Sequence, residues 1–209
     1  MGHELDPNLE LLGRWIVNAR ALAPRPVLLT LRENAALKLL EICRDHCLSI
    51  FILLKFGEGH VNASALALLR SALEACARGG WLWLGQTDEE FNLFRQNPKK
   101  SFPSKNKCLD AIADLIPQRT LQSLKDHMSA VKDVYDDFSH GGHQQILRRF
   151  DIEASVAKEG EYLARTVLIY DFVAACWIAD LMRDDGVKEA LPMLAEGLGV
   201  LSAIGGNTK

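Results

Sequence analysis

The chain has 209 residues, of which 48% are hydrophobic and 24% charged, with a formal net charge of −3. This composition excludes a largely disordered chain, and the lack of a basic surplus argues against binding to nucleic acid or membrane through overall charge. The length favours one domain over residues 1–209, with frayed ends at 1–7 and 204–209.

The cysteines predict a reducing compartment. They are five in number and contain no closely spaced pair of the CxxC type. An odd set of thiols in apolar stretches is typical of free cysteines in a cytoplasmic protein. The polar start does not resemble a signal peptide, and the most apolar stretches, Leu48–Leu54 and Thr166–Ala179, are shorter than the ~20 residues that cross a bilayer. We therefore expect a cytoplasmic protein with no membrane partner.

Helical periodicity dominates the chain, and no segment alternates as a β-strand does. The sequence therefore predicts an all-α fold, an up-and-down helical bundle. The predicted helices span about 8–22, 28–56, 62–84, 88–95, 105–115, 119–138 and 158–182, with a weaker one from 187 that Pro192 interrupts. Thr87, followed by an acidic first turn, is the predicted N-cap of the helix at 88–95. Residues 96–106 are predicted to form a long loop, and Gly79 and Gly80 should weaken the third helix locally.

The third predicted helix carries few charges. From Val61 to Leu84 the charged residues are Arg70, Glu74 and Arg78, set among alanine, leucine, tryptophan and cysteine. A helix that is apolar on all sides is expected to be central and buried, and its charges then need partners. We expect Arg70 or Glu74 to reach another helix. Both a structural ion-pair network and a polar pocket lined by these two residues fit the pattern.

A histidine marks the end of the predicted helix 119–138. His140 precedes Gly141-Gly142, and Asp136 lies one turn before it. A histidine near a helix C-terminus is favoured as a cation. Asp136, His140 and His143 could ligate a metal, but no Cys/His spacing supports this, so we expect neither a metal nor another cofactor. A C-capping His140 that pairs with the third helix is the favoured interpretation.

The second predicted helix contains Cys43, His46 and Cys47. The helical pattern turns His46 toward the core, where a histidine usually satisfies one hydrogen bond. A Cys–His nucleophilic pair is the alternative, but thiols on apolar faces are normally inert.

The predicted long loop is basic. Its positive residues surround Phe102 with no acidic residue between them; they are Arg95, Lys99, Lys100, Lys105 and Lys107. Such a stretch could contact phosphate or a single nucleic-acid strand, and Arg148-Arg149 forms a second basic spot. Because the acidic run 88–90 lies a few residues before the loop, a solvated loop of balanced charge is an alternative.

Two sequence strings resemble a known group of proteins. ALLRSALEACARGGWL at residues 67–82 and YDDFSHGG at residues 135–142 are similar to uncharacterised bacterial helical proteins that distantly resemble HEPN domains, the higher-eukaryote and prokaryote nucleotide-binding fold. The resemblance covers about Leu39 to Cys176. It implies a HEPN-like bundle that dimerises, and many HEPN proteins are metal-independent ribonucleases of toxin or phage-defence systems.

In that family four to six residues separate an arginine from the active-site histidine that follows it. His140 matches the histidine, but Asp133, Val134 and Tyr135 stand near the arginine position, so Arg70, Arg148 or Arg149 would have to replace it. The first predicted function is therefore a ribonuclease or nucleotide-processing defence protein, with His140, Arg70 and Glu74 as catalytic residues. Its ligand-binding residues would be Asp136, Arg148, Lys99 and Lys100.

Two alternatives need no catalysis. One is a homodimeric interaction module, able to bind itself or a partner protein, whose buried ion-pair network is structural. The other is a bundle that binds a small ligand between Arg70 and Glu74.

Overall fold

A computed structural model of the chain describes residues 7–22, 24–57, 62–97, 102–126 and 152–201. Within these ranges the protein has eight α-helices and no β-strand, which confirms the predicted all-α class. In chain order they are α1 (Pro7–Ala21), α2 (Leu31–Phe56), α3 (Asn62–Leu84), α4 (Asp88–Gln96), α5 (Lys105–Ala111), α6 (118–126), α7 (Ile152–Leu181) and α8 (Asp185–Gly197). Their buried apolar side chains form a shared core.

Helix α2 contacts the other long helices α1, α3 and α7. Arg32, at its start, donates to the carbonyl oxygen of Leu82 at the end of α3. Arg44, in its middle, bonds Asp171 on α7, whereas Glu33, near its start, is bonded by Arg183 just beyond α7. Helix α2 is therefore antiparallel to both α3 and α7. The predicted HEPN-like topology and the single domain remain predictions.

The start of α2 is set by a capping box. The Thr30 side chain accepts from the backbone N–H of Glu33, and the Glu33 carboxylate accepts from the Thr30 backbone N–H. These reciprocal bonds satisfy donors that a helix start leaves open. The helix begins at Leu31, three residues later than predicted, because Thr30 caps it there. The predicted N-cap Thr87 is confirmed, since it forms the same box with Glu90.

Helix α3 continues unbroken through its two glycines, Gly79 and Gly80, and both allow close packing. A methyl group at Gly79 would lie 2.8 Å from Cγ of Leu40 on α2, and one at Gly80 would lie 2.7 Å from Cη2 of Trp177 on α7. Larger residues would force the three helices apart. The close approach of Leu40 and Trp177 explains a glycine pair that the sequence suggested was a weak point.

Helix α7 is the most apolar of the described helices. It begins at Ile152, earlier than predicted, and contains a stretch, Gly160–Leu181, of 22 residues that is long and apolar enough to cross a membrane. This stretch is longer than the one recognised in the sequence. Because 78% of its most apolar window is buried inside the protein, its composition is that of a core helix.

Other boundaries differ by a few residues. Helix α5 ends at Ala111 instead of near 115, and turns follow it at 112–115. Helix α8 begins at Asp185, because Asp184 caps it by accepting a hydrogen bond from the Val187 backbone N–H. Pro192 lies inside α8 without ending it. The predicted end of the helix 119–138 and the glycine pair at 141–142 lie outside the described residues.

A candidate site around a buried aspartate

A carboxylate lies fully buried in the middle of the bundle. Asp171 on α7 accepts a hydrogen bond from Nε1 of Trp15 on α1, at 3.0 Å from Oδ2. Arg44 on α2 bonds both of its oxygens, with Nε 3.2 Å from Oδ1 and Nη2 3.4 Å from Oδ2. A buried charge is stable only when it is paired and hydrogen-bonded. This cluster, which we call the Asp171 cluster, therefore joins α1, α2 and α7.

A cavity of about 420 Å³ lies beside the Asp171 cluster. Arg44 lines it together with Arg20, Glu41 and Asp45. Nη2 of Arg20 donates to the Arg44 carbonyl oxygen at 2.6 Å and lies 3.3 Å from Oδ1 of Asp45, while Nε of Arg20 is buried without a hydrogen-bond partner. Both arginines of the cavity already bind carboxylates of the protein, so its charges are largely neutralised from within.

Three thiols lie next to this cluster. Cys43 and Cys47 on α2 and Cys76 on α3 are buried. A hydrogen bond from Cys47 lowers the pKa of Cys43. The hydrogen bond of Cys43 to Cys76, together with burial, outweighs this lowering, so the pKa of Cys43 is raised well above its usual value. The hydrogen bond to Cys43, and then burial, raise the pKa of Cys47. Protonated thiols are poor nucleophiles, which supports inert packing rather than a Cys–His pair.

Two other thiols behave in the same way. Burial raises the pKa of Cys108 to about 11, although the nearby Arg78 lowers it in part. Burial also raises the pKa of Cys176 to about 12, against a lowering by Arg44. The prediction for His46 was wrong, since it is half-buried rather than turned into the core.

The charges of α3 form a row along its side, not a buried centre. Glu74 lies between two arginines, with Oε1 3.2 Å from Nε of Arg70 and Oε2 3.2 Å from Nη2 of Arg78. All three side chains are partly exposed, and Ser71 on the same helix is exposed. The expectation that α3 is buried on every side was therefore wrong. A structural ion pair fits this row better than an enclosed pocket.

The row nevertheless meets the basic stretch that follows α4. The guanidinium of Arg78 lies 5.4 Å from the ring centre of Phe102, a cation–π contact. Phe102 also packs against Phe94 and Trp81 in an aromatic cluster. The charged row of α3 thus contacts Phe102, the aromatic residue within the predicted basic loop.

Charges are also paired at the end of the bundle where α2 begins and α3 ends. Arg32 donates to the Leu82 and Trp83 carbonyl oxygens at 2.7 and 2.8 Å, and its Nε lies 2.8 Å from Oδ1 of Asp88. This hydrogen bond from Arg32 lowers the pKa of Asp88. Since Arg32 satisfies carbonyls that end a helix, its role is to cap α3.

Several predicted site residues fall outside the described residues. They are Lys99, Lys100, Asp136, His140, His143, Arg148 and Arg149. The meeting of His140 with Arg70 and Glu74 therefore remains a prediction. Among the described residues, no group of three or more histidine, cysteine, aspartate or glutamate side chains has an arrangement that could hold a metal ion.

The Asp171 cluster was missed as a site. Its signal in the sequence was a lone aspartate that interrupts the apolar stretch Thr166–Ala179. A buried charge at such a position must be paired with a residue of another helix. Periodicity does not identify the partner, and Trp15 and Arg44 lie 156 and 127 residues away along the chain.

No curated protein and no solved structure matches the chain. A family described as a family of unknown function, DUF6988, matches residues 40–196. The matched range contains α3, the α7 carboxylate and the α2 arginine that binds it. The chain therefore belongs to the DUF6988 family of unknown function.

Proposed function

We propose that this protein is a non-catalytic, homodimeric interaction module whose buried ion pairs are structural. The observation that carries the proposal is the pairing of the two buried carboxylates of the described residues. Asp171 is bonded by Arg44 and Trp15, and Glu33 by Arg183 and the Thr30 backbone. Groups that are satisfied by their own protein and held in a packed core contribute to specifying the fold rather than to chemistry.

The surface supports the same proposal. Several large apolar side chains are exposed, four of them on α2, and a concentration of exposed apolar surface is typical of protein–protein contacts. The test is the molar mass of the purified full chain, measured by light scattering and sedimentation over a wide range of concentration. We expect a concentration-dependent dimer. A monomer at every concentration would overturn the homodimer.

A ribonuclease is the second candidate, and one contact favours it. The cation–π contact of Arg78 with Phe102 brings the arginine row of α3 beside the basic stretch, as a phosphate-binding surface requires. Here His140 would move protons and Arg70 would stabilise phosphate charge.

The assay compares RNA cleavage by the parent and by His140→Ala under identical conditions, with Arg70→Gln as a second variant. Cleavage by the parent that both variants lose would support this candidate. Equal activity in the parent and His140→Ala would exclude it, because contamination would then explain the cleavage.

A further inference from the structure

The side of α2 that faces away from α3 and α7 carries an unusual number of exposed apolar residues. Leu31, Ile42, Ile52 and Phe56 are 51%, 45%, 46% and 70% exposed, respectively. The chain leading into this helix adds Leu28, which is 97% exposed. Elsewhere among the described residues the exposed large apolar side chains are scattered over α1, α4, α8 and short connections, where single ones need no explanation.

Six of the eight exposed residues of α2 follow a seven-residue repeat. Leu31, Lys38, Asp45 and Ile52 are spaced by seven, and Ile42 and Phe56 follow Lys38 and Ile52 by four. Because two helical turns take about seven residues, such positions stay on one side of the helix and drift by only ~20° per repeat. We call these six residues the α2 seam. It runs for about 37 Å at ~1.5 Å per residue.

The charges of the seam are arranged to complement a second copy. Lys38 and Asp45 lie almost equally far from Ile42, on opposite sides of it, as do Leu31 and Ile52. A two-fold axis beside Ile42 would therefore place Lys38 of one copy opposite Asp45 of the other, and Leu31 opposite Ile52. In a two-fold interface each such contact occurs twice.

We infer that the α2 seam is the interface at which two copies of this chain pair, antiparallel, about an axis beside Ile42. A parallel pair is disfavoured because it would set Lys38 against Lys38 and Asp45 against Asp45. The inference rests on the proposed homodimeric function and names its surface.

The partners these charges have within one chain do not block the pairing. Nζ of Lys38 lies 2.7 Å from Oε2 of Glu41, and Asp45 is paired with Arg20 at 3.3 Å. Lys38 and Asp45 are largely exposed, and the Glu41 side chain is 45% exposed. Exposed ion pairs contribute little, so either side chain can turn toward a second copy at small cost.

The first test reverses the seam charges in the full chain. Lys38→Glu and Asp45→Lys should each weaken the dimer about tenfold, because each reversal sets like charges together at two symmetric places. The double variant K38E/D45K should restore the parent dissociation constant. These two positions are seven residues apart on one helix and cannot bond each other within a chain, so rescue reports a contact between chains.

The second test acts at the axis. Ile42→Asp would place two carboxylates against each other and should abolish the dimer, whereas Met193→Asp, at a 71% exposed position on α8, should leave it intact. If Ile42→Asp does not fold, Ile42→Cys replaces it. A cysteine beside the axis should form a disulfide with its own copy when oxidised glutathione is added, and Met193→Cys should not.

The outcomes separate the inference from the function it rests on. A parent that is monomeric throughout overturns both. A parent dimer that persists in Ile42→Asp, or that the charge reversals do not affect, overturns the α2 seam alone and leaves the homodimer standing. Loss of the dimer in the single variants with recovery in K38E/D45K supports the seam.

Discussion

Replacing Asp171 by asparagine should destabilise the protein strongly. The substitution keeps the shape of the side chain and an oxygen that can accept the hydrogen bond from Trp15. It removes the negative charge that pairs with Arg44. The Arg44 side chain is only 13% exposed and that of Asp171 is fully buried. Removing one partner of a buried ion pair costs about 3–5 kcal/mol of unfolding free energy, because the other charge is left uncompensated.

For a chain of this length each kcal/mol lowers Tm by about 2–4 °C, so the expected loss is about 6–20 °C. The assay is thermal and urea unfolding followed by far-ultraviolet circular dichroism. The matched control is Glu41→Gln, which breaks the exposed pair with Lys38 on the same helix and should cost less than about 1 kcal/mol.

A double-mutant cycle completes the experiment. Arg44→Met and Asp171→Leu should each be costly, whereas the double variant should lose much less than their sum, since no unpaired charge remains in the core. If Asp171→Asn loses no more stability than Glu41→Gln, or if the effects of Arg44→Met and Asp171→Leu are additive, the buried ion pair does not stabilise the fold in this way.

Three further predictions concern packing, thiols and pH. Gly80→Ala should destabilise the protein by about 1–3 kcal/mol because the added methyl meets Trp177, whereas Gly160→Ala, with nothing within 4 Å, should stabilise α7 by up to about 1 kcal/mol; equal effects in urea unfolding would contradict this. Iodoacetamide at pH 8 should modify Cys108 and the other described thiols slowly in the folded protein and rapidly in urea, because burial holds the pKa of Cys108 at about 11; fast native labelling by mass spectrometry would refute it. The pKa of Asp88 is lower in the folded chain than in the unfolded one, so its stabilisation is present above about pH 4 and is lost as pH falls through the folded pKa; Asp88→Asn should flatten the acid limb of an unfolding titration, and an unchanged limb would contradict this.

Much of the local structure could be read from the sequence. The all-α class, the ends of α3 at Asn62 and Leu84, and the cap at Thr87 were predicted, since periodicity and capping depend on residues a few positions apart. The predicted start of α2 was three residues too early because the apolar residues before Thr30 resemble part of the helix. The capping box between Thr30 and Glu33 starts the helix at Leu31 instead. The packing role of Gly80 was not predicted, because a glycine that lowers helix propensity and a glycine that allows close packing cannot be distinguished in a sequence.

The candidate site could be predicted only in part. The row of Arg70, Glu74 and Arg78 was recognised, since their spacing puts them on one side of a helix. Whether that side is buried depends on which helices cover it, and the structure leaves it partly exposed.

The sequence by itself determined that the chain is a helical protein with apolar helices that carry isolated charges. Only the tertiary structure decided which charge lies at the centre. Asp171 is buried because α1 and α2 bring Trp15 and Arg44 to it from more than 120 residues away along the chain. A buried carboxylate is stable only with such partners, and the pairing of distant helices is set by the packing of the whole core rather than by any local pattern.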